Sequence, residues 1–159
     1  MGRKERDSEA IVFFCRDVTA RELNDFPYDF RGDVVINGDL YLNENLEVLF
    51  NLYVMGDIWE GIEDIPSIMV NGDLNCYGYI NSGNINVKGS LYCYNGIDSH
   101  YITVGDDLYC EDNIDSNSSS VTVGGDLICL GNLRATQIYI VGTMRAGGVE
   151  QCFDIKVGT

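Results

Sequence analysis

Aspartates that follow a glycine recur along the chain, and they are the residues best suited to chemistry. They occur at Gly38-Asp39, Gly56-Asp57, Gly72-Asp73 and Gly125-Asp126, with a variant at Asp106-Asp107. A row of carboxylates can bind calcium or attract other cations. The calcium-binding nonapeptide pattern GGxGxDx does not occur, because Gly124-Gly125-Asp126 continues with Leu127. We therefore expect no bound metal.

Cysteine and histidine give little support for catalysis. None of the six cysteines falls in a CxxC spacing, which argues against a structural zinc site. The only histidine, His100, lies in a corner segment, where a lone surface histidine needs no special role. The chain contains no Walker, GxGxxG, GxSxG or HExxH motif. The sequence predicts a protein that is not an enzyme and uses no cofactor.

The glycine–aspartate breaks mark an internal repeat. Eight breaks, the last at Gly158-Thr159, are separated by 16 to 19 residues. Between residues 68 and 80, apolar and polar residues alternate with the period of two that is typical of strands. One such unit cannot bury its apolar face alone, so the copies must stack. We predict an all-β, single-domain parallel β-helix (β-solenoid) of about eight coils with about 17 residues per coil.

The repeat predicts four rows of residues that stack inside the solenoid. The first row is Ile36, Val54, Val70, Val87, Val104, Val123, Ile140 and Val157. The second row is Leu40, Ile58, Leu74, Leu91, Leu108, Leu127 and Met144. The third row includes Leu46, Ile65, Ile80, Ile97, Ile114, Leu133 and Val149. The fourth row, Cys76, Cys93, Cys110 and Cys129, suits small buried side chains at a tight corner.

The two ends of the repeat differ. Residues 1–31 predict an N-terminal tail and capping segment, and residues 32–159 predict the solenoid. Thr19-Ala20-Arg21-Glu22 fits a capping box that opens a short helix, and residues 11–15 fit a strand beside the first coil. At the other end, Ile155 and Val157 predict an open coil available for self-association. We expect a monomer, or a homodimer joined through the C-terminal coil.

The outward positions of the repeat are acidic and aromatic. An aspartate at a turn can accept a backbone N–H, which is a structural explanation. Stacked carboxylates repel each other, however, and further acids lie nearby, which favours a binding role. Both interpretations stay open. The candidate partner-binding residues are Asp39, Asp57, Asp73, Asp107, Asp126, Glu111, Asp112, Tyr41, Trp59, Tyr77, Tyr92, Tyr94 and Tyr109.

The charge of the chain indicates which partners it attracts. The sequence has 25 acidic and 10 basic residues and a formal net charge of −15. A field of that sign repels nucleic acid and anionic membranes and attracts basic proteins, including those that normally hold DNA or RNA. There is no transmembrane run, and the apolar segment near the N-terminus is too short for a signal peptide. Six cysteines kept as thiols fit a cytoplasmic protein.

The segments VTVGGDLICLGNLRATQIYIVGTMRA and VNGDLNCYGYINSGNINVKGSLYCYNG resemble bactofilins, the polymer-forming cytoskeletal proteins of bacteria. The resemblance covers roughly residues 34–159 and is limited to the solenoid rhythm. It implies a right-handed parallel β-helix and a capacity to assemble end to end. The expected cap at the N-terminal end departs from the two-ended polymerisation of that family.

Two functions follow from these observations. The first is a non-catalytic acidic inhibitor that mimics nucleic acid and occludes a basic groove of a nucleic-acid-handling protein, as a phage anti-defence protein such as an anti-CRISPR or an immunity-type protein would. The alternative is a bactofilin-like scaffold that assembles through its C-terminal coil. The first predicts binding that weakens sharply with salt. The second predicts assembly that depends on Ile155 and Val157.

Overall fold

The chain folds into a three-sided parallel β-solenoid. The computed structural model describes residues 10–26, 32–61 and 65–158. Within these residues, seventeen strands form one continuous sheet, and every strand pairing is parallel. The solenoid has about seven turns spaced about 17 residues apart, which confirms the predicted architecture with one turn fewer than expected. At about 4.8 Å per turn, seven turns span about 34 Å.

Each turn contributes a strand to three faces, which we name A, B and C in chain order. Face A is formed by β1 (Ala10–Phe14), β3 (Gly32–Ile36), β6 (Leu52–Val54), β9 (Leu74–Cys76), β11 (Leu91–Cys93), β13 (Leu108–Cys110) and the first residues of β15 (Leu127–Ile140) and β16 (Met144–Glu150). Face B is formed by β2 (Val18–Thr19), β4 (Leu40–Leu42), β7 (Ile58–Glu60), the first residues of β10 (Ile80–Val87), β12 (Ile97–Val104) and β14 (Ile114–Val123), and the later residues of β15 and β16. Face C is formed by β5 (Leu46–Val48), β8 (Ser67–Val70), the ends of β10, β12, β14 and β15, and β17 (Asp154–Val157).

The core is a set of stacked apolar rows, as the alternation predicts. Between residues 68 and 80, Ile68, Val70, Leu74, Cys76 and Ile80 are all fully buried. The four cysteines of the predicted fourth row are buried and in register, with Cys93 between Cys76 and Cys110. Burial of these rows removes apolar surface from water, which is the main stabilising term of the solenoid.

The register of the first two turns differs from the predicted rows. Val54 stacks on Cys76, and Val70 stacks on Val48, so the predicted step from Val54 to Val70 is wrong. Leu74 likewise stacks on Leu52, while Ile58 stacks on Ile80. Leu46 pairs with Ile68, and Ile65, which was expected inside, is 60% exposed. From the third turn onward the predicted rows are confirmed.

The cause of this slip is one long turn. The second turn takes 22 residues from Leu52 to Leu74, whereas the later turns take 17 to 19 residues. The three corners of a turn are only about six residues apart, and two of them, the corners at the two edges of face A, use the same glycine–aspartate chemistry. Within the 22-residue turn, the glycine–aspartate motif of Asp73 lies one corner earlier than the corner equivalent to that of Asp57. It therefore follows Asp57 by 16 residues, close to the repeat spacing, although it lies on a different edge of face A.

The N-terminal end carries the predicted strand and short helix. β1 pairs with β3 and β2 pairs with β4, so the first turn is preceded by two further strands. In place of a third strand, α1 (Ala20–Asn24) packs next to β5, and its Asn24 side chain donates to the Asn45 carbonyl at 2.7 Å. The predicted capping box is present, because Thr19 and Glu22 bond to each other's backbone amides. Residues 1–9 and 27–31 of the predicted N-terminal segment lie outside the described residues.

The last turn exposes the residues that earlier turns bury. Val149, Ile155 and Val157 are 39%, 46% and 42% exposed, although their counterparts in the preceding turn are buried. Phe153 projects fully into solvent. Thr159, the last residue of the eighth predicted break, lies outside the described residues.

Candidate partner-binding surface

A ladder of hydrogen bonds runs along the corner between faces C and A. The Oδ1 atom of Asp73 accepts from the Ser90 amide at 2.8 Å, and Oδ1 of Asp107 accepts from the Asp126 amide at 2.8 Å. Oδ1 of Asp126 continues the ladder by accepting from the Thr143 amide at 2.7 Å. Each aspartate therefore connects its own turn to the next one, and the structural explanation of this row is correct.

The glycine of the motif makes room for this carboxylate. A Cβ atom at Gly89 would overlap Oδ1 of Asp73, and a Cβ atom at Gly125 would overlap Oδ1 of Asp107. The glycine of one turn and the aspartate of the preceding turn are thus required together. This pairing explains why the two residue types recur side by side in the sequence.

The ladder does not require negative charge. Asn51 holds an equivalent position, where its Oδ1 accepts from the Asp73 amide at 2.7 Å. Ser90 does the same with its hydroxyl, which accepts from the Asp107 amide at 3.2 Å. A neutral oxygen therefore satisfies the backbone as an aspartate does. The charges of Asp73, Asp107 and Asp126 exceed what this corner needs.

A second, shorter ladder runs along the corner between faces A and B. Oδ1 of Asp39 accepts from the Asp57 amide at 2.8 Å, and Oδ1 of Asp57 accepts from the Tyr79 amide at 2.7 Å. Asp17 begins this ladder by accepting from the Asp39 amide at 2.9 Å. The prediction of one aspartate row is therefore wrong, because Asp39 and Asp57 lie on one edge of face A and the later aspartates lie on the other.

Face A carries an aromatic and apolar stripe between these two edges. We use the name aromatic stripe for two outward rows of face A. The central row is Phe13, Val35, Tyr53, Asn75, Tyr92, Tyr109 and Ile128, all in register. The row beside it is Met55, Tyr77, Tyr94, Glu111 and Leu130, which follow the inward residues of the same strands.

The rings of the stripe pack against one another. Tyr77 and Tyr94 stack with ring centroids 4.8 Å apart and an interplanar angle of 7°. Tyr94 meets Tyr109 edge to face at 6.4 Å. Because these three rings contact one another, this part of the stripe offers a partner an apolar surface with little side-chain entropy left to lose. Tyr77, Tyr94 and Leu130 are 50%, 39% and 50% exposed.

The structure brings eleven of the thirteen predicted partner-binding residues to face A and its edges. The tyrosines of the set on this face are Tyr77, Tyr92, Tyr94 and Tyr109. Glu111 lies within the stripe, and the acids at the edges of the face are Asp39, Asp57, Asp73, Asp107, Asp126 and Asp112. Tyr41 and Trp59 lie elsewhere, since they stack on each other as outward residues of face B. The predicted combination of acids with aromatics holds for one face, with two acidic edges.

Sequence reasoning missed the N-terminal part of the stripe. Phe13 is 58% exposed on β1, where it stacks on Val35 and so extends the row of Tyr53 beyond the repeat. Residues 10–14 are all apolar, so the sequence does not indicate which of them face outward, and only the pairing of β1 with β3 places Phe13 there. The long second turn hid the alignment of Tyr53 with Tyr92.

The acids at the edges of face A form no ion pair within the described residues. Within the described residues, the four ion pairs are Arg16–Glu22, Arg21–Glu44, Arg134–Asp115 and Lys156–Asp154, none of which includes an acid of these edges. The acids also act on the tyrosines. Partial burial and the charge of Glu111 raise the pKa of Tyr109, which donates to that carboxylate at 3.4 Å.

Face B holds a different acidic group. Asp98 stacks on Asp115, and Asp115 stacks on Arg134, with which it forms an ion pair at 3.4 Å. Burial and the charge of Asp115 raise the pKa of Asp98. Burial, followed by the charges of Asp98 and Asp115, raises the pKa of Tyr79 to about 12. These carboxylates are neutralised in part by Arg134, unlike those of face A.

The cysteines and the histidine, which are the remaining candidates for chemistry, lie in different environments. Burial raises the pKa of the Cys129 thiol, whose sulfur donates to the Asp112 carbonyl at 3.2 Å. His100 is exposed. Among the described residues, no group of three or more His, Cys, Asp or Glu side chains is arranged to hold a metal ion. In the same part of the chain, no helix is long and apolar enough to cross a bilayer.

No family model, curated protein or solved structure matches this chain.

Proposed function

We propose that the protein is a non-catalytic acidic binding protein whose face A docks against a basic, nucleic-acid-contacting surface of another protein and thereby inhibits it. The observation that carries this proposal is the aromatic stripe with acidic edges on both sides. Aromatic residues are frequent anchors at interfaces, and acids at the rim guide the encounter with a basic partner. The rod would occupy a basic groove that otherwise holds DNA or RNA.

The charges support the proposal because the fold does not need them. Asn51 and Ser90 form the same inter-turn hydrogen bonds as their aspartate neighbours. A sequence selected only for the corner could carry asparagine or serine throughout. The retained carboxylates have a second oxygen that can accept from Lys or Arg side chains of a partner.

The test is displacement of nucleic acid. A panel of purified nucleic-acid-binding domains, each bound to a labelled oligonucleotide, is titrated with the protein at about 50 and 500 mM salt. We expect displacement from at least one domain at low salt and strong loss at high salt. The variant Asp73→Asn/Asp107→Asn/Asp126→Asn should keep the fold and displace poorly. The mechanism would be contradicted if the extent of displacement were the same at both salt concentrations and the same for wild type and this variant.

The last turn favours a second candidate, a bactofilin-like scaffold with a right-handed coil. β16 and β17 expose Val149, Ile155 and Val157, while α1 takes the place of a face C strand at the opposite end. The described residues of this turn, 144–158, carry two basic residues, Arg145 and Lys156, and two acidic ones, Glu150 and Asp154. This turn is therefore neutral, and two copies can approach through it despite the acidity of the rod.

Light scattering on a sizing column tests the second candidate. The scaffold proposal expects a homodimer joined through the C-terminal coil, because α1 interrupts the stacking of strands at the N-terminal end. Ile155→Lys with Val157→Lys should leave the circular dichroism spectrum unchanged and produce a monomer. A wild-type monomer, or assembly that survives this variant, would contradict the proposal. The six cysteines, all free thiols, support a place in the reducing cytoplasm under either proposal.

A further inference from the structure

We propose that the element seated on face A is a basic amphipathic α-helix of the partner, lying along the axis of the solenoid. This inference rests on the proposed function and names the kind of partner surface that the face recognises. The length and width of the face, the state of its backbone and the distribution of its charges each support a helix.

The dimensions of the stripe match a helix. Its central row runs over seven strands from Phe13 to Ile128, and six steps of about 4.8 Å give about 29 Å. A helix rises about 1.5 Å per residue, so about 19 residues cover this length. Across the face, the edge residues Asp107 and Asp112 are five residues apart, which is at most about 17 Å along an extended chain. A helix with side chains is about 10–12 Å wide and fits between these edges.

The backbone of face A is already used. β6, β9, β11 and β13 each pair with a strand on both sides, so their amides and carbonyls bond to neighbouring turns. An extended peptide gains affinity by adding to an open sheet edge, and the middle of face A has no open edge. A helix satisfies its own backbone groups and needs only side-chain contacts, so it can lie on this face without leaving polar groups unpaired.

The charges of the face predict the sequence pattern of the helix. Apart from Asn75, the central row is apolar or aromatic, with Tyr92, Tyr109 and Ile128 half-buried. Acids lie on both sides of the stripe, with Asp73, Asp107 and Asp126 on one edge and Asp39, Asp57 and Asp112 on the other. The complementary helix has one apolar stripe and Lys or Arg on both flanks of it. Such a helix differs from one that is basic all round.

Face C shows what a face without this pattern looks like. Its outward residues include Asn86, Thr103 and Thr122, which are uncharged and stacked in register. One exposed tyrosine, Tyr101, lies on face C and is 53% exposed, similar to Tyr77 on face A. Tyr101 therefore provides a matched control for any tyrosine of the stripe.

The experiment uses two labelled synthetic peptides of about 19 residues and identical composition. The first places Leu along one helical stripe with Lys and Arg on both flanks, and the second scrambles the same residues so that no stripe forms. Fluorescence anisotropy gives the affinity of each peptide for the intact protein, and circular dichroism reports the helix content of the peptide. The protein is tested as wild type, as Tyr92→Ala/Tyr109→Ala and as Tyr101→Ala.

We expect the helical peptide to bind at least about tenfold more tightly than the scrambled one and to gain helix on binding. The Tyr92→Ala/Tyr109→Ala variant should lose at least about tenfold in affinity, and Tyr101→Ala should bind as wild type does.

Four results would overturn the inference. Equal binding of the two peptides would show that charge alone is recognised, and the helix would be wrong while displacement of nucleic acid could still succeed. Equal binding by wild type and Tyr92→Ala/Tyr109→Ala would move the site away from face A. Failure of the helical peptide to bind, with successful displacement of nucleic acid, would reject the helix and keep the proposed function. Failure of both assays would reject both.

Discussion

Faces A and C are built from the same turns, and their inner sides are alike while their outer sides are not. Inside, face A stacks Leu91 on Leu108, and face C stacks Ile85 on Ile102, all of them buried. Outside, face A presents tyrosines between acidic edges, whereas the middle of the outward row of face C is Asn86, Thr103 and Thr122. The fold requires the inner rows of both faces. It does not require the outer row of face A, so that row is where function is to be sought.

The largest expected effect separates the inner side of face A from its outer side. Leu108→Ala removes a fully buried side chain and should lower the free energy of unfolding by about 2–5 kcal/mol. The adjacent change Tyr109→Ala faces outward and should cost about 1 kcal/mol or less. Urea denaturation followed by circular dichroism measures both. Equal losses would mean that the outer row is part of the structural core.

The next prediction compares face A with face C in binding. Tyr94→Ala should weaken binding of the helical basic peptide by about 1–2 kcal/mol, because Tyr94 contacts both Tyr77 and Tyr109 in the stripe. Tyr101→Ala on face C should leave the affinity unchanged. Fluorescence anisotropy measures both affinities. A loss at Tyr101 equal to that at Tyr94 would remove the distinction between the two faces.

A smaller effect separates the hydrogen bond of a ladder aspartate from its charge. Asp107→Asn keeps an oxygen for the Asp126 amide and should change the free energy of unfolding by less than about 1 kcal/mol. Asp107→Ala removes that acceptor and should cost about 1–2 kcal/mol. Thermal denaturation of the two variants gives the comparison. If asparagine destabilises as much as alanine does, the charge itself is structural and the argument from Asn51 and Ser90 fails.

The smallest effect concerns face B and its pH dependence. Since burial and Asp115 raise the pKa of Asp98, the folded state holds this proton more tightly than the unfolded chain does. The contribution of Asp98 to stability is therefore largest below its ordinary pKa and falls as pH rises through the raised value. Asp98→Asn should abolish this dependence and stabilise the protein at pH 7 by about 0.5 kcal/mol. Urea denaturation at pH 4 and pH 7 measures it, and a destabilised variant at pH 7 would contradict it.

The sequence predicts the fold well because one requirement repeats. Apolar alternation, together with a glycine that makes room for the aspartate of the preceding turn, recurs at nearly constant spacing from Gly72 onward. The strand register of the first two turns could not be predicted from the spacing, because the 22-residue turn places the same motif at another corner while the distance between motifs stays nearly the same. Any solenoid whose corners share one chemistry carries this ambiguity.

The candidate surface was predictable in its residue types and less so in its shape. The acids and tyrosines were recognised from their outward positions. The two separate acidic edges become visible only in the structure, where the Asp57 carboxylate accepts from the Tyr79 amide and the Asp73 amide instead donates to Asn51. Phe13 could not be placed before β1 was known to pair with β3. The sequence alone does not tell whether the corner needs the negative charge of the aspartates. The hydrogen bonds of Asn51 and Ser90 answer this question, because they show that an uncharged oxygen is sufficient at the corner.

Hydroxyl-radical footprinting of the tyrosines tests most directly whether face A is the binding surface. The protein is oxidised alone and with saturating helical basic peptide, and mass spectrometry quantifies the modification of each tyrosine. We predict that Tyr77, Tyr92, Tyr94 and Tyr109 become protected while Tyr101 on face C is oxidised as before. Protection of Tyr101, or unchanged oxidation of the four tyrosines of face A when the peptide is bound, would contradict the assignment of face A as the binding surface.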